Sequence, residues 1–549
     1  MAMADLPTRH STVVYTGHQN GWNSATDDNG SYALDDAWLA VFGDNANVTF
    51  LGTGDQVSFN APSTAYYTET VVGSGGEISV VHAHVTVTGI DDLIYFDPSD
   101  DVLNLSGAGW STLYASSGVA NLSGASLNVI GGGVTINALS GDNAVSLYQT
   151  GGVGDTVNGD HMIVTLTNAQ ATLNGADDTI WFVGGSASVV TLNPLAGGYG
   201  SVYCAGTVRL QDGAVNWVGG GALVDFLNPG GVAYLSYTQG LWDQVEGAAG
   251  TVVLSNAQAV VEGGNQTVQF LAGYYDDAVT ITQTNGNWDS IYTPSGYDVD
   301  VQRINVVSAQ VNIFGYSQNI YASGAGTEIS LYIATGGYSD FAVHGSNVEV
   351  IANGGSSASV IGGANIIFAT DASAYTSLAL SDTNGAWDVV YDQSHQIALD
   401  NAQASIIGGG NEIDSEVNGT FSVSLYDTAG ADDTMYSDSG TVTLTNAGVS
   451  VYASDDFVSF DGGTNAVDVS RGSATVLGLT GRFGLDTVSG FNSTDSLTVS
   501  GADFTDFQAF QHALSQQGDD TVLTLDADDK VAFTGLQTSA ITAAQVKFV

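Results

Sequence analysis

A self-similar period near 46 residues governs this chain. A unit that short cannot bury an apolar face alone, so it must stack on its neighbours. The period is marked by an Asp that usually follows Trp or a small or acidic residue. The marks fall at Gly154-Asp155, Trp242-Asp243, Trp288-Asp289, Ser339-Asp340, Trp387-Asp388 and Asp432-Asp433, with weaker relatives at Trp110 and Tyr199. Steps between clear neighbours run from 45 to 51 residues, and the step from Asp155 to Asp243 is 88, twice 44.

Two further landmarks follow the Asp in several of the repeats. The first is Asn168-Ala169-Gln170, Asn256-Ala257-Gln258, Asn401-Ala402-Gln403 or Asn446-Ala447-Gly448, each 13 residues on, with Ser308-Ala309-Gln310 displaced to 19 by an inserted loop. The second is Gly263-Gly264-Asn265, Gly362-Gly363-Ala364-Asn365, Gly408-Gly409-Gly410-Asn411 or Gly462-Gly463-Thr464-Asn465. Between them the text alternates, as in Val164-Thr165-Leu166-Thr167 and Val442-Thr443-Leu444-Thr445, the period of a strand with one buried face. The fold expected is therefore all-β, a right-handed parallel β-helix or solenoid. One repeat is read as two coils of about 22 residues with three short strands each, about 18 coils making a rod of order 85 Å. Asn at a fixed place in successive coils would bond amide to amide along the stack, and Gly would supply the positive φ of the bends.

Composition agrees. The 71 glycines sit among Val, Thr, Asn and Ser, with few strong helix formers. Lys and Arg number 7 against 57 acids, a net charge of −50, so salt bridges cannot neutralise the surface. Screening, spreading of charge or divalent cations must do so, and calcium is the oxygen-seeking choice. Nucleic acid and anionic membranes are excluded as partners, since both require a basic patch. A single cysteine, Cys204, excludes an intrachain disulfide framework. Met1 to Thr16 shows no basic segment followed by a long apolar run, so no membrane insertion is expected and any export is expected to use another signal.

Three regions are expected: an N-terminal cap over 1–64, which lacks the landmarks, a solenoid over 65–480, and a C-terminal module over 481–549. In the last, Gly484-Leu485-Asp486-Thr487-Val488-Ser489-Gly490-Phe491-Asn492 precedes Asp495-Ser496-Leu497. A helix is then expected from Asp503, with Phe507, Phe510 and Leu514 on one face, Asp503 as its cap and Gly518 at its end. Two strands around a turn follow, Asp519-Asp520-Thr521-Val522-Leu523-Thr524-Leu525-Asp526 and Lys530-Val531-Ala532-Phe533-Thr534-Gly535-Leu536, then the tail Val546-Lys547-Phe548-Val549. This order of D-x-V-x-G-F, acidic strand, T-G-[VL] and apolar terminus resembles the C-terminal target domain of type I secreted, RTX-type bacterial proteins, over perhaps an eighth of the chain. The resemblance implies a small α+β secretion domain, a one-step export channel in a Gram-negative bacterium, an uncleaved C-terminal signal, and folding outside the cell where calcium is plentiful. The body departs from that family's calcium nonapeptide. Gly151-Gly152-Val153-Gly154-Asp155-Thr156-Val157 is one residue short of it, while Gly175-Ala176-Asp177-Asp178-Thr179-Ile180 and Gly430-Ala431-Asp432-Asp433-Thr434-Met435 echo only its second half.

Candidate calcium ligands are Asp155 and the pairs Asp177/Asp178, Asp276/Asp277, Asp432/Asp433, Asp455/Asp456 and Asp519/Asp520, set against plain turn carboxylates with Asx bonds. His82 and His84 could share a strand face, with no third ligand apparent. Trp242, Trp288 and Trp387 could form an aromatic stripe for sugar stacking, or simply cap core corners. No catalytic residues are assigned. A polyuronate lyase or epimerase needs clustered cations, and the seven here are scattered. The function expected is a secreted structural protein of the cell surface or biofilm matrix, self-associating with calcium. The alternatives are a carbohydrate-active β-helix enzyme or a glycan-binding adhesin that meets surface polysaccharide.

Overall fold

The computed structural model describes residues 11–549 apart from 18–20, 27, 61–67, 98–100, 184–187, 194–198, 204–205, 212, 239, 272–276, 294–302, 316–317, 334–339, 354–356, 370–376, 394, 416–420, 438 and 453–454. The chain divides into two compact units, residues 1–262 and 263–549. Each unit is a parallel β-solenoid. Strands of three to seven residues alternate in chain order between two sheets, so that every coil contributes one strand to each sheet. In the first unit Val102–Ser106 pairs in parallel with Gly118–Ser123, and that strand with Val134–Ser140, in one sheet. Trp110–Ala115, Ser126–Gly131 and Ala144–Tyr148 pair likewise in the other.

Coils are thus two-stranded, not the three-stranded coils expected. One turn advances the chain by as few as 16 residues, Trp110 opposite Ser126, and as many as 25, Ala278 opposite Arg303. Corners turn on single residues in the left-handed region, such as Asn168 (φ 50°) and Asn401 (φ 50°). Inward residues alternate with outward ones and fill the space between the sheets with β-branched and leucine side chains. Val145, Leu147, Val164, Leu166 and Ile180 are wholly buried in the first unit, and Val390, Ile397, Leu399 and Ile406 are so within 1% in the second.

This geometry redefines the repeat. The landmark residues Asp289, Asp340, Asp388 and Asp433 each open a strand, and successive ones stand five strands apart in the chain. Five is odd, so one repeat is two and a half coils, and the landmarks in the second unit fall on alternate sheets.

Both ends of the chain differ from expectation. The described strands of the stretch expected as the N-terminal cap, 1–64, already pair as coils: Val13–Thr16 pairs with Ser31–Asp35, and Trp38–Val41 with Gln56–Asn60. At the other end the terminal segment extends the two sheets. Leu485–Ser489 pairs in parallel with Ala466–Asp468 and with Lys530–Thr534, and Val546–Phe548 pairs in parallel with Ser496–Val499. An antiparallel meander of Leu514–Gln517, Asp520–Thr524 and Lys530–Thr534 adds to the first of these sheets, as the two-strand expectation required. The helix is shorter than expected, Phe507–His512. Its cap is Asp506, whose side chain accepts from Ala509 N at 2.8 Å, while Leu514 opens a strand and Gly518 (φ 68°) turns the hairpin. Phe510 is buried edge-on against Phe504, which anchors this single turn.

Candidate functional site: the polar corners

A coil's backbone hydrogen bonds lapse where the chain turns, and buried N–H groups at the corners need other acceptors. Inward carboxylates supply them. Asp155 Oδ1 accepts from Val134 N at 2.9 Å, Asp243 from Ala222 N at 2.8 Å, Asp289 from Gln266 N at 2.7 Å, Asp388 from Asn365 N at 2.8 Å and Asp433 from Asn411 N at 2.8 Å. In every case the donor lies one coil earlier. Asp55, Asp92, Asp101, Asp178, Asp456, Asp486, Asp495 and Asp529 act in the same way.

Five of these corners share one construction. Thr150, Thr238, Thr284, Thr383 and Thr428 stand five residues before the Asp and are buried. The residue before each Thr has φ between 50° and 54°. Each Thr carbonyl closes a turn, with Leu241 N at 3.0 Å and Asn287 N at 2.9 Å as examples. Each Thr hydroxyl accepts from the next coil: Gln170, Gln258, Gln310 and Gln403 N, and Gly448 N, at 2.9 to 3.1 Å. The preceding coil contributes a glycine on which the turn lies. A Cβ at Gly132, Gly220, Gly264, Gly363 or Gly409 would come within 2.1 to 2.5 Å of a turn carbonyl oxygen. The three sequence landmarks are therefore three consecutive layers of one corner: the glycine below, the Thr-to-Asp turn, and the Asn-Ala-Gln above. Gly448 stands where the other four corners have Gln, beside the exposed side chain of Asp432.

Burial pushes the carboxyls of Asp155, Asp243, Asp289, Asp433 and Asp486 up to about 7, and those of Asp92, Asp178 and Asp388 up to about 6, against the pull of their amide hydrogen bonds. Asn143, Asn365, Asn411 and Asn465 cap Ala125, Val348, His395 and Ala447 N in the same manner with a neutral amide. A negative charge is thus not required for the cap. At one corner a buried His395 Nδ1 bonds Asp392 Oδ1. That pair carried no sequence signal beyond its spacing of three.

Among the candidate calcium ligands, Asp155, Asp178, Asp277, Asp433 and Asp456 point inward and are buried. Their neighbours Asp177, Asp432 and Asp455 are exposed, and Asp276 lies outside the described residues. In the pairs Asp177/Asp178, Asp432/Asp433 and Asp455/Asp456 one carboxylate is therefore buried and the other exposed. Asp456 is satisfied by Ser437 Oγ at 2.5 Å and Gly440 N at 2.7 Å, and Asp520 Oδ1 accepts from Gly535 N at 2.7 Å beside exposed Asp519. Among the described residues no group of three or more His, Cys, Asp or Glu is placed to hold a metal ion. His82 sits at a corner with φ 53° and His84 opens the following strand, so they do not share a strand face. Cys204 lies outside the described residues.

The Trp residues occupy the outer side of the corners next to the inward Asp. Trp288 and Trp387 precede strands of the same sheet ten strands apart, which separates them by five coils, about 24 Å. Trp242 stands in the first unit, half-exposed. Continuous aromatic columns do occur elsewhere, on the sheet faces. Tyr292, Phe314 and Tyr332 stack at 4.9 and 4.7 Å, and Trp181 stacks on Tyr203 at 4.4 Å. Rings so stacked cover one another's faces and present edges outward. Asparagines form a ladder as well, in the first unit, at positions without a landmark: Asn121, Asn137, Asn158, Asn174 and Asn193 each donate Nδ2 to the Oδ1 of the preceding member, starting at Asn104, at 2.7 to 2.9 Å. No family model, curated protein or solved structure matches this chain.

Proposed function

We propose that this chain is a secreted, non-enzymatic structural protein of the bacterial surface or matrix, whose stacked coils associate laterally with copies of themselves. The observation that carries the reading is that the recurrent polar residues are spent on the fold. Thr, Asp, Asn and Gly recur because each closes a corner between coils, and the repeat is accounted for without a ligand. The flat faces supply the contact. Columns such as Tyr292, Phe314 and Tyr332 offer apolar edges in register along the stack.

Calcium is the counterion in this reading, held by exposed carboxylates such as Asp177, Asp432, Asp455 and Asp519 and not by their buried neighbours. Export is assigned to a type I channel on the resemblance of residues 481–549, whose strands extend the second unit's sheets. The test is light scattering and electron microscopy of the full chain with calcium and with chelator. Calcium-promoted, concentration-dependent assembly is expected, and a monomer at every concentration in both buffers overturns the reading. Incubation with a panel of polysaccharides, expected to release no product, separates it from a carbohydrate-active enzyme.

A further inference from the structure

The Trp-Asp corners carry an inference independent of export and assembly. Asp243, Asp289 and Asp388 are wholly buried, each with Oδ1 accepting a backbone N–H from the coil below and Oδ2 sealed away from any hydrogen-bond partner. A carboxylate in such a site is left with half its charge unsolvated, whereas a carboxylic acid is not. The groups packed around them are neutral. Asp243 lies between Ala222 and Ala259, Asp289 between Gln266 and Val311, and Asp388 between Asn365 and Ala404. No charged neighbour acts on any of the three among the described residues. Asn365, one layer from Asp388, performs the identical cap on Val348 N with an amide, the isostere of a neutral acid.

We propose that these corners are a protonation-gated lock, in which the neutral acid closes the coils and deprotonation loosens them, so that the solenoid is tightest in mildly acidic surroundings and most easily opened in alkaline ones. The direction agrees with the raised affinity of all three carboxyls for a proton, to about 7, 7 and 6.

The test is thermal unfolding of the full chain, in chelator so that calcium plays no part, from pH 4.5 to pH 8.5 (about the range over which such groups titrate). The expected result is a Tm that falls as pH rises. In the triple variant D243N/D289N/D388N the fall is shallower and Tm at the alkaline end equals or exceeds that of the parent. A Tm that rises with pH, or a triple variant with the parental slope, overturns the lock. If the triple variant does not fold, infrared spectroscopy of the parent decides. A protonated-carboxyl band persisting at neutral pH and vanishing in step with loss of stability supports it, and full ionisation at pH 5.5 (about two units above an ordinary Asp) overturns it.

Discussion

Asp243 illustrates how one side chain serves two purposes. Its Oδ1 satisfies Ala222 N, and its burial holds the acid protonated well above the ordinary carboxylate range of 3.8. Replacement by Ala orphans the buried N–H, which costs about 1–3 kcal/mol, while replacement by Asn keeps the bond. D243A is therefore expected to lose stability at every pH in denaturant titrations, and D243N to lose none at pH 8. The sign follows from linkage. The folded state holds the proton up to about 7 and the unfolded chain releases it near 3.8, so stability is full below the unfolded value and declines as pH rises between the two, by about 1.4 kcal/mol per pH unit per group. Most acid-sensitive proteins slope the other way. The glycines of the same corners allow a second check. A Cβ at Gly363 would stand 2.5 Å from Thr383 O, so G363A is expected to cost about 1–3 kcal/mol through overpacking alone.

At the scale of strands, the alternation in the sequence was enough to locate the buried faces, and the landmark spacing was enough to reveal stacking. Which asparagines stack was not legible. Asn168, Asn256, Asn401 and Asn446 recur because they tolerate left-handed backbone at a corner, with φ between 50° and 53°, whereas the amide ladder runs through Asn104 to Asn193 on a sheet face. Corner lengths vary, so residues one coil apart stand 16 to 21 apart in this ladder, and no fixed period exposes it. The same irregularity concealed the number of strands per coil, and only the fold shows that Asp178, Asp433 and Asp456 turn inward beside exposed Asp177, Asp432 and Asp455. The ladder predicts a position-dependent penalty. N158A removes two amide bonds and N193A one, so the central substitution is expected to cost about twice as much, at about 0.5–1.5 kcal/mol per bond, in urea unfolding.

At the scale of the whole chain, the repeat of five strands has a consequence that a repeat of complete coils would not. Because each of the five Thr-Asp corners needs a glycine layer, a Thr-to-Asp layer and a layer whose backbone N–H meets the Thr hydroxyl, what must be kept along the stack is the sequence of layers, not the identity of the sheet. Within the second unit Asp388 opens a strand of one sheet and Asp433, five strands on, a strand of the other, yet both cap the coil below with the same bond at 2.8 Å. The two sheets are therefore interchangeable hosts for the corner. Excising residues 384–428, one whole repeat of five strands, is expected to yield a folded chain with Tm close to the parent's, since Gly363, Asn365 and Thr383 then stand to Asp433 and Gly448 as Gly409, Asn411 and Thr428 do in the parent, and every later landmark moves to the opposite sheet together with its partners. Excising a single coil, residues 366–387, is expected to be far more damaging. It deletes the Thr383 turn and strips Gln403 N of its acceptor, and it sets Asp388 against a layer that lacks the matching Asn365 geometry. Circular dichroism melts of the two deletions decide the matter. Equal losses would mean that the corners act singly and that the period carries no structural rule.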